Sequence, residues 1–220
     1  MIEPFTVPDV VDVVSDVVCP WCYIGKRQLE AMLQALPAAD RPRVRWHPFQ
    51  LNPDLPAQGL DRRSYVETKF GGPERAAQVY ERVAQAGRDA GLALDFARID
   101  RQPNTLDAHR LIGWSQAAGG GHTDALVEAL FRAFFVEGRP IGERPVLAEL
   151  AAAAGHDPAA ARAFLDGGDG AAEVAQADRR MRELGITGVP FFVFGGRVAV
   201  PGAGGADALR SAWDQARHDG

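Results

Sequence analysis

The chain is poor in cysteine, with two in 220 residues, Cys19 and Cys22. Two cysteines this close cannot staple distant parts of a fold, so a disulfide-built secreted scaffold is excluded and a reducing compartment is favoured. Long apolar runs are also missing, and nothing approaches membrane-spanning length. Met1 to Asp9 contains Glu3, Pro4 and Pro8 and no basic n-region, so it does not read as a signal peptide and a cytoplasmic location is expected. Lysine occurs only at Lys26 and Lys69, and the net charge is −5. No electrostatic reason therefore exists to expect nucleic acid or an anionic membrane as partner. Neither G-x-G-x-x-G nor G-x-x-x-x-G-K-[ST] occurs, so nucleotide cofactors have no support. His47, His109, His122, His156 and His218 show no metal-ligand spacing, and no metal is expected.

What is present is an ordinary globular composition, 46% hydrophobic and 24% charged, in a chain long enough for one large domain or one carrying an insertion. Val10-Val11-Asp12-Val13-Val14 reads as a buried strand ending at Ser15-Asp16. Apolar Trp21, Ile24, Leu29, Met32, Leu33 and Leu36 recur at helical spacing until Pro37. Val44, Trp46, Phe49 and Leu51 predict a second strand, with Pro48 confining its late part to an edge or bulge. Strand, helix, strand at this length is a βαβ unit with parallel strands.

From about Asp61 to Ala163 the pattern is helical throughout. Pro73 opens a helix that Gly91 ends, Thr123 reads as an N-cap, and Pro145 and Gly155 frame another helix. Leu126, Leu130, Phe131, Phe134 and Phe135 form an apolar face read as core. The runs 119–121 and 167–170 connect helices. After a helix ending near Gly185, Phe191–Phe194 and Arg197–Val200 predict a hairpin with a two-residue Gly195-Gly196 turn, and a last helix runs from Ala206 to about Arg217. The fold class is α/β: a βαβ…ββα mixed sheet formed by residues 1–60 and 166–220, interrupted by an all-helical cap over 61–165.

The cysteine pair falls where the first strand meets the first helix. Cys19 takes the N-cap or first helical position and Pro20 follows at N1, where its missing N–H costs nothing. Free amides and the positive end of the helix dipole there favour a thiolate. One helical turn places Cys22 beside Cys19 and deeper, so an exposed Cys19 attacks and Cys22 resolves the mixed disulfide. Trp21 and Tyr23 are expected in an apolar surface around the pair. A structural zinc site would need about four ligands and has no second cysteine pair. Haem attachment would need His where Tyr23 stands. Two ordinary buried cysteines would land at this spacing and junction only by chance.

Ser15-Asp16-Val17-Val18-Cys19-Pro20-Trp21-Cys22-Tyr23-Ile24-Gly25 resembles the FrnE-like subgroup of the DsbA family, in the thioredoxin superfamily. So do Phe49-Gln50-Leu51-Asn52-Pro53, Asn104-Thr105 with Ala108-His109-Arg110-Leu111, and Gly185-Ile186-Thr187-Gly188-Val189-Pro190-Phe191-Phe192-Val193. The resemblance spans nearly the whole chain in order. It implies a thioredoxin fold with a helical insertion, Cys19 as nucleophile, Cys22 as its partner and a cis Val189–Pro190 bond. That bond would present the Val189 backbone to an extended substrate, with Pro20 and Trp21 beside it. Asn104 reads first as a helix cap and second as a substrate contact, and His109 as a candidate lining of the cleft. Asp16 reads as a turn or cap residue. The subgroup is also similar to 2-hydroxychromene-2-carboxylate isomerases and kappa-class glutathione transferases, which carry Ser in place of Cys19 and use glutathione. Pro201-Gly202-Ala203-Gly204-Gly205 departs from the family's usual Gly-Ala-Gln-Pro.

The expected activity is thiol–disulfide exchange with a protein or small-molecule thiol. No cofactor is expected, and glutathione is left open as a co-substrate. A glutathione-dependent isomerase or transferase and a chaperone-like holdase are the alternatives. The recycling partner and a homodimer through the cap are left open.

Overall fold

The structure, a computed structural model, describes residue 5 and residues 9–119 and 121–218. Its main sheet has four strands in the order β2-β1-β5-β6: β1 (Val10–Ser15), β2 (Arg43–Pro48), β5 (Phe191–Phe194) and β6 (Val198–Pro201). β1 runs parallel to β2 across helix α1 (Pro20–Gln34) and antiparallel to β5, and β5 and β6 form a hairpin. All six residues of β1 are buried because this central strand is covered on both faces. Val11 and Val13 join the core shared with α1, while Val14 packs with Phe49, Met181 and Ile186 on the opposite side. By the two-residue alternation of a strand, Ser15 lies on the Val11–Val13 face.

The long connection from β2 back to the sheet carries α2 (Arg62–Phe70), α3 (Pro73–Asp89), α4 (Leu106–Ala117), α5 (Thr123–Phe135), α6 (Arg144–Ala153) and α7 (Pro158–Asp166). Helix α8 (Ala171–Glu183) leads into β5, and α9 (Ala206–His218) closes the chain. The apolar face read on α5 is buried, with Leu126, Leu130, Phe131, Phe134 and Phe135 at 1% exposure or less. Buried Arg110 of α4 donates to the carbonyls of Phe164, Leu165, Gly167 and Asp169 and so ties down the α7–α8 connection. No helix among the described residues is long and apolar enough to cross a membrane.

Four expectations are corrected. β2 stops at Pro48, and Phe49 and Leu51 lie beyond it; the proline is tolerated because β2 is an edge strand. The cap is not wholly helical: β3 (Leu60–Asp61) and β4 (Arg101–Gln102) pair antiparallel, and a two-residue ladder leaves no sequence periodicity to read. Gly59 permits that approach, since a Cβ there would sit 2.3 Å from the Gln102 carbonyl. His122, and not Thr123, is the N-cap of α5, because the Thr123 hydroxyl is turned to Ser115 Oγ at 2.8 Å. The hairpin turn includes Arg197 after the two glycines, since Phe194 pairs with Val198. Gly195 and Gly196 do take positive φ, +56° and +70°. Of the glycines at 119–121, Gly120 lies outside the described residues.

Two buried charges sit in this frame. Asp12 on β1 is fully buried against Arg45 and His47 of the edge strand, in register beside it. Burial pushes its carboxyl up, but His47 and Arg45 more than offset this and hold it below the usual range. Lys26 of α1 is 1% exposed and pairs with Glu30, with Asp124 at 3.3 Å and with Glu128 at 3.2 Å, which locks the helix onto α5.

Candidate active site

The site begins in the backbone between β1 and α1. The Cys19 N–H donates to the Asp16 carbonyl at 3.0 Å, closing a tight turn at the strand end. Cys19 then takes the N-cap of α1 with extended backbone (φ −95°, ψ 112°), and Pro20 follows at N1. The Cys19 carbonyl accepts from Cys22 N and Tyr23 N at 3.0 and 3.3 Å, so the first helical turn holds both cysteines together. Both are free thiols.

A third strand end meets this turn. The Val189–Pro190 peptide is cis, and the Cys19 thiol donates to the Val189 carbonyl at 3.5 Å. The Pro190 carbonyl accepts from Gly202 N at 2.8 Å, whereas the Val189 N–H pairs with no described residue. Gly25 allows α1 to approach so closely: a Cβ on it would lie 3.0 Å from Pro190 Cγ and 3.1 Å from Phe192 Cζ. Beside Pro190 lies an open depression of about 300 Å³ lined by Gly185 and residues 187–191 together with Pro201 and Gly202.

Burial differs from the expectation of an exposed attacker. Cys19 is 4% exposed and Cys22 2%, because the segment entering β5 closes over Cys19. Burial pushes the Cys22 thiol well above the usual range, and the adjacent Cys19 sulfur adds to this. The polar groups of Ser15 and the Asp16 backbone act in the opposite direction.

Cys19, Pro20, Trp21, Cys22, Val189 and Pro190 are thus brought together around one turn of helix. Trp21 is 41% exposed. Tyr23 departs from the expected surface role: it is 2% exposed, stacks on Phe131 at 5.0 Å and donates to Glu128 at 2.7 Å. Asn104 and His109 are both engaged with protein groups. Asn104, one residue before the Thr105 N-cap of α4, accepts from Leu106 N at 2.9 Å and donates to the Leu55 carbonyl at 2.6 Å. His109 is buried with Nε2 3.2 Å from Asp16 Oδ1, and Asp16 Oδ2 accepts from Leu51 N at 2.7 Å. Asp16 is therefore a turn residue that also links α4 to the cysteine turn. Sequence reasoning passed over Gly25. No cluster of three or more metal-ligating side chains occurs among the described residues.

A family model described as a DSBA-like thioredoxin domain matches residues 10–214. A probable DsbA oxidoreductase from Streptomyces coelicolor superposes with a TM-score of 0.84 at 32% identity, covering 96% of this chain and 91% of that one. A 2-hydroxychromene-2-carboxylate isomerase superposes at 0.69 with 17% identity, covering 96% and 97%. The cytosolic disulfide reductase DsbM from Pseudomonas aeruginosa, solved with GSH, superposes at 0.64 with 23% identity, covering 95% and 99%. These neighbours match the subgroup that the motifs resemble.

Proposed function

This chain belongs to the family of DSBA-like thioredoxin domains, and on that premise we propose that it is a dithiol–disulfide oxidoreductase cycling through Cys19 and Cys22. The observation that carries this reading is the pair of free thiols on the first turn of α1, with Cys19 at the N-cap and the Val189 carbonyl over its sulfur. A Cys19 thiolate attacks a substrate disulfide, forming a mixed disulfide and releasing one substrate thiolate. The Cys22 thiolate then attacks Cys19 Sγ, the protein disulfide forms and the second substrate thiolate leaves. The substrate disulfide is reduced by two electrons and the protein pair is oxidised. The reverse sequence oxidises a dithiol.

The substrate is a protein or small-molecule disulfide that docks across Trp21 and the Val189–Pro190 segment. The uncommitted Val189 N–H offers one backbone hydrogen bond to an extended chain. Glutathione fits as a small thiol that returns the pair to the reduced state in a cytoplasmic setting. Asn104 and His109 act here through the scaffold, since both are engaged with protein groups.

Replacing Cys19 by Ser tests the reading in an insulin-reduction assay, with refolding oxidation of a reduced client as the second direction. Loss of both activities is expected. Unchanged activity would refute it, and a glutathione-dependent isomerisation that survives loss of Cys22 would move the chain to the isomerase class.

A further inference from the structure

A cavity of about 160 Å³ lies between β2, α4 and α8, and its wall includes neither cysteine nor the Val189–Pro190 segment. Buried Val17, Trp46, Ile112, Val127 and Val174 make most of that wall apolar. Its polar side chains are mainly committed to protein groups. His47 Nε2 is 2.6 Å from Asp12 Oδ1, and His109 Nε2 is 3.2 Å from Asp16 Oδ1. Gln116 accepts from Trp46 N at 2.7 Å and donates to the Trp46 carbonyl at 3.0 Å. The buried group left over is the Ser15 hydroxyl. Ser15 lines the cavity and is 4% exposed, and its Oγ has no hydrogen-bond partner among the described residues, the Cys22 thiol included. A buried hydroxyl without a partner costs stability and calls for a reason.

Gly113 sits inside α4, where glycine is a poor helix former, and a Cβ built on it would meet nothing within 4 Å. Packing therefore does not require a glycine there. Gly113 is exposed, as is Glu173 of α8, and both line the cavity, so a way in opens between the two helices. Water fills such a space poorly, because each molecule needs several polar partners and one free hydroxyl supplies too few. Apolar cavities of about 150 Å³ take up one benzene-sized ring. A charged ligand does not suit the interior: Asp12 is matched by Arg45 and His47, Asp16 by His109, and the Glu173 carboxylate at the mouth repels an anion.

We propose that this cavity is a second binding site, separate from the thiol centre, for a small neutral aromatic molecule carrying one hydroxyl. The ligand enters past Gly113, its ring packs against Trp46, Ile112 and the valines, and its hydroxyl bonds Ser15 Oγ. The size of the space sets the size of the ligand, a single ring. The apolar wall selects against charge, and the lone buried hydroxyl selects for one polar group on the ring. A ligand hydroxyl can both donate and accept, so it satisfies Ser15 in either orientation of the serine proton. The site goes beyond the exchange reading and stands whether or not the cysteines cycle.

The test is isothermal titration calorimetry of the full-length protein with phenol, and with benzene as the ring lacking the hydroxyl. Phenol should bind one to one with a Kd below about 1 mM, and benzene about tenfold more weakly. In Ser15→Ala phenol should weaken about tenfold, to the level of benzene, while benzene is unchanged. Gly113→Leu narrows the entrance on a better helix former and should abolish binding of both rings. Because Ser15→Ala deletes an unpartnered buried hydroxyl, its Tm should equal or exceed that of the parent, which separates loss of binding from misfolding. Phenol binding weaker than about 1 mM, equal affinity of the parent for the two rings, or unchanged phenol affinity in Ser15→Ala would overturn the proposal. Binding that survives Gly113→Leu would place the ligand elsewhere and overturn it as well.

Discussion

Replacing Lys26 with Met removes the buried ammonium that fixes the cysteine-bearing helix to the cap, while keeping most of its aliphatic volume. Breaking a buried ion pair by deleting one partner costs about 3–5 kcal/mol when the other charge stays buried. Here the orphaned groups regain some water: Glu30, Asp124 and Glu128 have side chains 25%, 59% and 27% exposed. Arg27 also remains paired to Glu30 and Glu128. The expected loss is therefore smaller, about 2–3 kcal/mol. Urea denaturation at pH 7 measures it, as a lower midpoint with an unchanged slope. The pH dependence gives a second arm. Burial alone lowers the Lys26 pKa, but Asp124, Glu30 and Glu128 raise it beyond its ordinary value. A raised lysine stabilises fully below about pH 10.4 and loses that contribution as pH climbs through the folded value. Burial raises the Glu30 pKa, but Lys26 and Arg27 bring it below the ordinary carboxylate value. Its contribution is present above about pH 4.3 and lost as pH falls through the folded value. The gap between parent and variant should thus be widest near neutrality and narrow in both directions. A loss under about 0.5 kcal/mol, the size of an ordinary surface change, or a gap that does not move with pH, would refute the reasoning.

Two other perturbations probe the same frame. Gly25→Ala gains about 1 kcal/mol of helix propensity but drives a methyl into Pro190 and the buried Phe192 ring. A net loss of about 1 kcal/mol and slower exchange are expected, and a variant of higher Tm with full activity would show that the segment yields. Asp12→Asn should flatten the acid limb of stability. The folded pKa of Asp12 is depressed, so its contribution is present above the ordinary aspartate value and lost as pH falls through the folded one. Acid titrations of unfolding that are identical for parent and variant would refute this.

Much of the frame was legible in the residues because it depends on local chemistry. The β-branched run before Ser15, the apolar period through Leu36 and the glycines of the last hairpin gave β1, α1 and β5–β6 nearly at their observed bounds. The β3–β4 pair was not legible, because a two-residue ladder depends on Gly59 meeting Gln102 across the cap and leaves no period. Thr123 misled for a related reason: a hydroxyl suited to a cap was drawn to Ser115, a partner from another helix.

The cysteine site divides in the same way. The sequence alone determined that two thiols stand one helical turn apart at a strand–helix junction, since the spacing, Pro20 and the strand before them are all local. Only the tertiary structure decided their surroundings: that Val189 lies over Cys19, that both cysteines are buried, and that Gly25 lets α1 close on Pro190. Those contacts join segments up to 170 positions apart. They follow from how helices and sheet close on one another, and no local pattern encodes that.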